Sequence, residues 1–239
     1  RYAHRQIEKA RIAIEDPRLA EFNERYAVIK NFGGKCLVIE EIYDPQLNRF
    51  LIAAMSFDNF RNAYLNDLIE VGSHKGNPVY KPAGKWWLEN ARRNQFERIV
   101  FSPLKEVPDA YNLWRGFAVV PRAGDCSLFL NHIHDVICSG NEEQFAYLIG
   151  WMSYCIQHPD NQGHTAIVLR GKRGTGKSFF ANQFGKLFGR HYLQISDSKH
   201  LVGSFNAHLR DCILVFADEA FYAGDKKHES TLKVLITED

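Results

Sequence analysis

Residues 165–188 read TAIVLRGKRGTGKSFFANQFGKLF, and the rest of the chain is organised around them. The core, GKRGTGKS from Gly171 to Ser178, fits the phosphate-loop (Walker A) pattern G-x-x-x-x-G-K-[ST] at every fixed position. The apolar run Ala166-Ile167-Val168-Leu169 in front of it predicts a buried parallel strand. Behind it, Phe180, Phe184, Leu187 and Phe188 recur at helical spacing. Strand, glycine loop and helix together form the setting in which such a loop binds phosphate. Glycines let successive N–H groups point inward, and the helix N-terminus adds partial positive charge. In that arrangement Gly171, Lys172, Arg173, Gly174, Thr175, Gly176, Lys177 and Ser178 line the nucleotide phosphates. Lys177 reaches the β- and γ-phosphates, and Ser178 offers its hydroxyl to Mg2+.

A second stretch, CILVFADEA at 212–220, predicts a buried central strand that delivers Asp218 and Glu219 at its C-terminal end. Ligands of open α/β sheets bind at that end. Asp218 suits a magnesium ion beside the γ-phosphate, and Glu219 suits activation of the attacking water. Lys177, Asp218 and Glu219 are therefore the expected catalytic set, with Ser178 and Asp218 as the metal-facing pair and ATP and Mg2+ as cofactors. A hydrolase of this kind also needs an arginine on the γ-phosphate. Arg173, Arg190 and Arg210 are available, and nothing in the sequence singles one out.

The 239 residues are 45% hydrophobic and 24% charged, the ordinary balance of a globular chain. A net charge of +2 does not mark a nucleic-acid binder, so any basic surface is local. Five scattered cysteines form no C-x-x-C or zinc spacing and read as reduced thiols in a cytoplasmic setting. No apolar run has the length of a membrane span. Both ends read as cut from a longer protein.

Upstream of the loop the pattern changes twice. Residues 1–15 predict a helix closed by Asp16-Pro17. From 22 to 41 the pattern turns to strands, with Asn31-Phe-Gly33-Gly34 as a hairpin turn, and 49–55 predicts another strand. Ser56 caps an expected helix over 56–68. Residues 71–84 read as an exposed loop, 86–96 as a short helix with core tryptophans, and 98–101 as a strand. These form a small α+β module over 1–101. A helical segment over 102–160 follows. Its first helix carries Phe129, Ile133, Val136 and Ile137, and its second runs from near Asn141 to His158. His132 and His134 fall on different faces of the first helix, which argues against a shared metal ion. The remaining 161–239 is the expected start of the ATPase domain. Helices are also expected over 198–210 and 230–236.

GKRGTGKS, LVGSFNAHL, CILVFADEA and LKVLITED, taken together, resemble the ATPase core of superfamily 3 helicases. The likeness is to the primase- or polymerase-associated type of phages, plasmids and large DNA viruses. It covers roughly 112–239 closely and the region before it loosely. The resemblance implies an α/β fold with an AAA+-like P-loop NTPase parallel sheet, truncated here and preceded by the helical segment and the α+β module. It implies a homo-hexameric ring that hydrolyses ATP, moves on single-stranded DNA and unwinds duplex for replication beside a primase or polymerase domain. The sequence departs from the family by stopping before the DNA-contacting hairpin, the polar sensor residue and the arginine finger. A P-loop nucleotide or small-molecule kinase, and a nucleotide-gated scaffold without helicase activity, are the alternatives. The adjacent Asp218-Glu219 favours hydrolysis over a kinase, and the intact Lys177, Asp218 and Glu219 argue against a scaffold without turnover.

Overall fold

The computed structural model describes residues 11, 16–196, 209–218, 233–234 and 236–237. The chain folds as two compact units, residues 1–100 with 107–112, and residues 101–106 with 113–239.

The first unit begins with helix α1 (Pro17–Arg25), which the sequence pattern had not indicated. Asp16 and Pro17 start this helix; the helix expected over 1–15 lies almost wholly outside the described residues. The Asp16 carboxylate accepts from Leu19 N at 3.0 Å, and Pro17 occupies the first turn, where its missing N–H has no cost. Strands β1 (Tyr26–Phe32), β2 (Lys35–Asp44) and β3 (Arg49–Met55) form an antiparallel meander. Gly33 and Gly34 make the first turn at φ 58° and 80°, both in the left-handed region. After helix α2 (Phe57–Ala63) come strands β4 (Leu68–His74) and β5 (Asn77–Pro82), helix α3 (Ala83–Glu89) and strand β6 (Gln95–Phe96). Strand β6 adds parallel to β1, so the sheet order is β3-β2-β1-β6. Strands β7 (Arg98–Val100) and β8 (Ala110–Asn112) form a separate parallel pair.

Three expectations change here. The helix capped by Ser56 ends at Ala63 and does not reach Leu68. Asn62, Asn66 and Asp67 favour turns, and the Asp67 carbonyl instead accepts from Ala83 N at 2.7 Å. The expected loop over 71–84 is the exposed hairpin β4–β5, followed by the start of α3. Its turn places Lys75 and Gly76 at φ 52° and 82°, a primed turn built without the usual Asn-Gly pair. The helix expected over 86–96 starts earlier, at Ala83, and ends at Glu89.

Leu19, Phe22, Tyr26, Val28, Val38, Phe60, Ala83, Trp87 and Leu88 form the core of this unit. Trp87 is fully buried and donates its indole N–H to Asn23 Oδ1 at 2.9 Å, as a core tryptophan must. Arg93 is also tied inward: it donates to the Leu88 carbonyl and to Gln95. Helices α2 and α3 approach so closely at Gly84 that a Cβ there would lie 2.9 Å from the Phe60 carbonyl.

In the second unit helix α4 (Ser127–Asn131) runs directly into a π-helical turn (His132–Ile137), and helix α5 (Glu142–Gln157) follows. Asn141 caps α5 by accepting from Gln144 N at 2.9 Å. Helix α6 (Lys177–Gly185) leads through a 3-10 turn (Gly189–His191) to strand β9 (Tyr192–Ile195), and strand β10 (Leu214–Ala217) lies parallel to β9. Ile133, Cys138, Leu148, Met152, Phe180, Ala181, Phe184 and Phe188 form the core. His191 is fully buried beneath Trp114, its ring stacked at 4.7 Å. It accepts from Arg115 N at 3.1 Å, so its other nitrogen donates to the Asp211 carbonyl at 2.7 Å.

The run Ala166–Leu169 is not the buried strand its apolarity predicts. It forms no ladder among the described residues. Its side chains alternate: Ile167 and Leu169 pack on the core, while Val168 is 79% exposed. Burial on both faces requires covering layers on both sides, and among the described residues only one side is covered. Strand β10 is likewise half-buried, with Val215 exposed. The helix expected over 198–210 lies almost wholly outside the described residues. Of that over 230–236, Lys233, Val234 and Ile236 are described and helical, as is Thr237 just beyond it.

Candidate functional site

The glycine loop joins the extended segment 165–170 to α6. Gly174 and Gly176 take φ 82° and 79°, and Gly176 caps α6 in the left-handed conformation. A side chain at either position would be strained, so these glycines set the loop's path. Gly171 is crowded from within: a Cβ there would meet Thr175 Oγ1 at 3.3 Å and Lys177 Nζ at 3.9 Å. Thr175 Oγ1 in turn donates to the Lys172 carbonyl at 2.9 Å, closing the loop on itself.

Lys177 belongs to the first turn of α6, and its side chain runs back over the loop. Nζ donates to the carbonyls of Gly171 (3.0 Å) and Lys172 (2.8 Å) and to Thr175 Oγ1 (3.3 Å). Its ammonium is therefore held by the oxygens of the loop itself, and the N-terminal end of α6 adds partial positive charge. Lys172, Arg173 and Gly174 are exposed on the outer side of the turn.

Ser178, the next residue, faces β10. Its hydroxyl lies 3.4 Å from Asp218 Oδ1 and 3.3 Å from Oδ2. Asp218 sits just past the end of β10, where its N–H continues the ladder by donating to the Ile195 carbonyl at 2.8 Å. Two residues 40 positions apart are thus brought together by strand pairing. Gln194 of β9 adds a third polar group, donating from Nε2 to Asp218 Oδ2 at 3.1 Å. Beside it, burial and then the Asp218 carboxylate push the Tyr192 phenol up to about 12. Tyr192 stays protonated and donates to Asn182 Oδ1 of α6 at 2.7 Å, tying β9 to the loop helix. Gly185 leaves room for that ring, because a Cβ there would lie 2.6 Å from it.

Among the described residues no group of three His, Cys, Asp or Glu side chains gathers as a metal cage. The pair Ser178 and Asp218 offers hard oxygen donors and little else, which suits Mg2+, an ion held by few protein groups plus phosphates and water. His132 and His134 point apart. His134 sits between Asp135 Oδ1 (2.6 Å) and Glu142 Oε1 (3.1 Å), and these carboxylates raise its pKa, Asp135 contributing most. The ring of His132 lies against the glycine loop. Glu219, the expected water-activating residue, lies outside the described residues. Of the three arginines, Arg173 and Arg210 are exposed and Arg190 is half-buried.

Gln194, Tyr192 and His132 carry no motif and were not legible as site residues. The strand Tyr192–Ile195 is short and mixed in polarity. Only its pairing with β10 reveals that Gln194 faces Asp218.

A family model described as a family of unknown function, DUF5906, matches residues 169–239, which begin at the glycine loop and include β10. No curated protein matches the chain. Two solved structures of the NrS-1 C-terminal region, both described as the A form apo structure, share its fold. One is 18% identical with a TM-score of 0.52 and covers 84% of this chain and 46% of its own. The other is 17% identical with a TM-score of 0.54, covering 84% and 48%. The chain thus spans about half the length of those regions. No helix among the described residues is long and apolar enough to cross a membrane.

Proposed function

We propose that this chain is the nucleotide-binding part of an ATP-driven DNA helicase of the superfamily 3 type. The observation that carries the reading is the approach of Ser178 to Asp218 beside a loop whose own oxygens hold Lys177. The fold is then the opening half of an AAA+-like P-loop core, with segment 165–170 leading into the loop and β10 carrying the acidic residues. Gly171 to Ser178 wrap the phosphate chain with backbone N–H groups. Lys177 exchanges its carbonyl partners for β- and γ-phosphate oxygens. Ser178 and Asp218 would hold Mg2+, whose charge would offset that of the phosphates. Glu219 takes the proton of the attacking water. The arginine that stabilises the γ-phosphate comes from a neighbouring subunit of a homo-hexamer. Turnover drives movement along single-stranded DNA beside a primase or polymerase.

The test is ATP turnover by the full-length protein with and without single-stranded DNA. Stimulation by DNA is expected. Phosphoryl transfer to a nucleoside without DNA stimulation contradicts the helicase reading and favours a kinase. Glu219→Gln is expected to leave ATP bound and stop turnover.

A further inference from the structure

We infer that His132 is a positioning residue of the phosphate loop, so that the π-helical turn before the ATPase segment belongs functionally to the nucleotide site. This rests on the nucleotide-binding reading above. Three observations carry it.

First, the imidazole occupies space that only glycine leaves. A Cβ at Gly176 would fall 2.5 Å from His132 Cε1 and 2.9 Å from Nε2. The absence of a side chain at Gly176 therefore serves a contact as well as a backbone conformation. Second, His132 Nε2 lies 3.4 Å from the Gly176 carbonyl. That carbonyl also accepts from Phe180 N at 2.9 Å, which makes it the acceptor that starts α6. A second polar contact on this group steadies the junction from which Lys177 and Ser178 project. Third, the ring stands edge-on to Phe179, at 5.4 Å and 90°, so it grips the residues on both sides of Lys177 and Ser178.

The local backbone sets His132 apart from an ordinary packing residue. Its helix changes from α4 to the π-turn at this residue, with Cys138 N donating to the Ile133 carbonyl at 2.9 Å. Such turns re-aim side chains and recur at functional sites. His132 is also only half-buried and is not among the apolar residues of the core. Its neighbour Ile133 is fully buried and supplies the packing. His132 acts through the loop and touches no reacting atom. It narrows the set of loop conformations so that the N–H groups are already placed when phosphates arrive.

The experiment is titration of the full-length protein with a fluorescent ADP analogue, comparing wild type, His132→Ala and His132→Gln, alongside melting temperatures without nucleotide. His132→Ala is expected to weaken binding by about three- to tenfold, the loss of one polar contact and its packing, with little change in melting. His132→Gln, which keeps a donor at similar reach, is expected to recover most of the affinity. Wild-type affinity in His132→Ala overturns the inference and leaves the nucleotide reading standing. Equal loss in both variants with a matching fall in melting temperature also overturns it, because the ring would then be packing alone. Failure of the wild type to bind the analogue removes the nucleotide reading and this inference with it.

Discussion

Replacing Gly176 by alanine adds one methyl group at a position where two costs meet. The residue sits at φ 79°, and the left-handed conformation costs an L side chain about 1–2 kcal/mol. The new Cβ also lands 2.5 Å from the tip of His132. The imidazole can turn aside, at about 0.5–1.5 kcal/mol of rotamer strain together with the loss of its contact to the loop. Gly174 is a control within the same loop. Its φ is 82°, and no atom lies within 4 Å of a Cβ built there. Gly174→Ala therefore carries the first cost alone, and the entropy lost by the unfolded chain is common to both variants and cancels. Gly176→Ala is expected to be less stable than Gly174→Ala by about 0.5–1.5 kcal/mol. The assay is urea denaturation, following the transition that reports on Trp151, whose ring lies 6.0 Å from that of Phe184 in α6. Adding His132→Ala to Gly176→Ala removes the obstructing ring and is expected to recover most of the difference. Equal stabilities for the two alanine variants, or strictly additive effects of His132→Ala and Gly176→Ala, refute the placement of His132 over the loop.

Phe184→Ala is expected to destabilise the unit holding the loop by about 3–5 kcal/mol, because the ring is 1% exposed and packs on Trp151 and Phe188. A cost below about 1 kcal/mol in the same denaturation assay would contradict that packing. His134 is held above its ordinary value of about 6.5, first by Asp135 and then by Glu142, with burial opposing. A raised folded value means its stabilisation is full below about pH 6.5 and fades as pH rises through that higher value. Melting temperatures across this window should therefore fall with rising pH more steeply in wild type than in His134→Gln. Parallel profiles would sink the assignment. Asp218→Asn is expected to reduce the magnesium dependence of ATP binding, since it removes the carboxylate facing Ser178. Unchanged magnesium dependence in a metal titration counts against the pair.

The parts of the fold that were legible in the sequence are those where period and punctuation agree. Strands β1 to β3 alternate or run apolar around Gly33-Gly34 and appear where expected. Helix α5 likewise occupies the span expected from near Asn141 to His158. Elsewhere one signal served two purposes. Asp16-Pro17 ends one helix pattern and also starts α1, and the second role shows in the Asp16 hydrogen bond to Leu19 N. Lys75-Gly76 turns the β4–β5 hairpin with both residues at positive φ, although lysine gives no hint of it. The run before the loop was misread because apolarity alone does not separate a strand covered on both faces from one with Val168 left outside. At the candidate site, the strand-end position of Asp218 followed from the apolar run before it, and pairing with β9 sets it beside Ser178. His132 had no such signal. A π-turn does not keep the helical period, so the direction of its side chains cannot be counted from the sequence.

The central claim is that the glycine loop and Asp218 form one nucleoside triphosphate site. Calorimetric titration of the full-length protein with ATP and Mg2+ tests it directly, with Lys177→Ala titrated in parallel. Saturable binding by the wild type and its loss or strong weakening in Lys177→Ala is the predicted result. Absence of binding by the wild type, or unchanged affinity in Lys177→Ala, would contradict it.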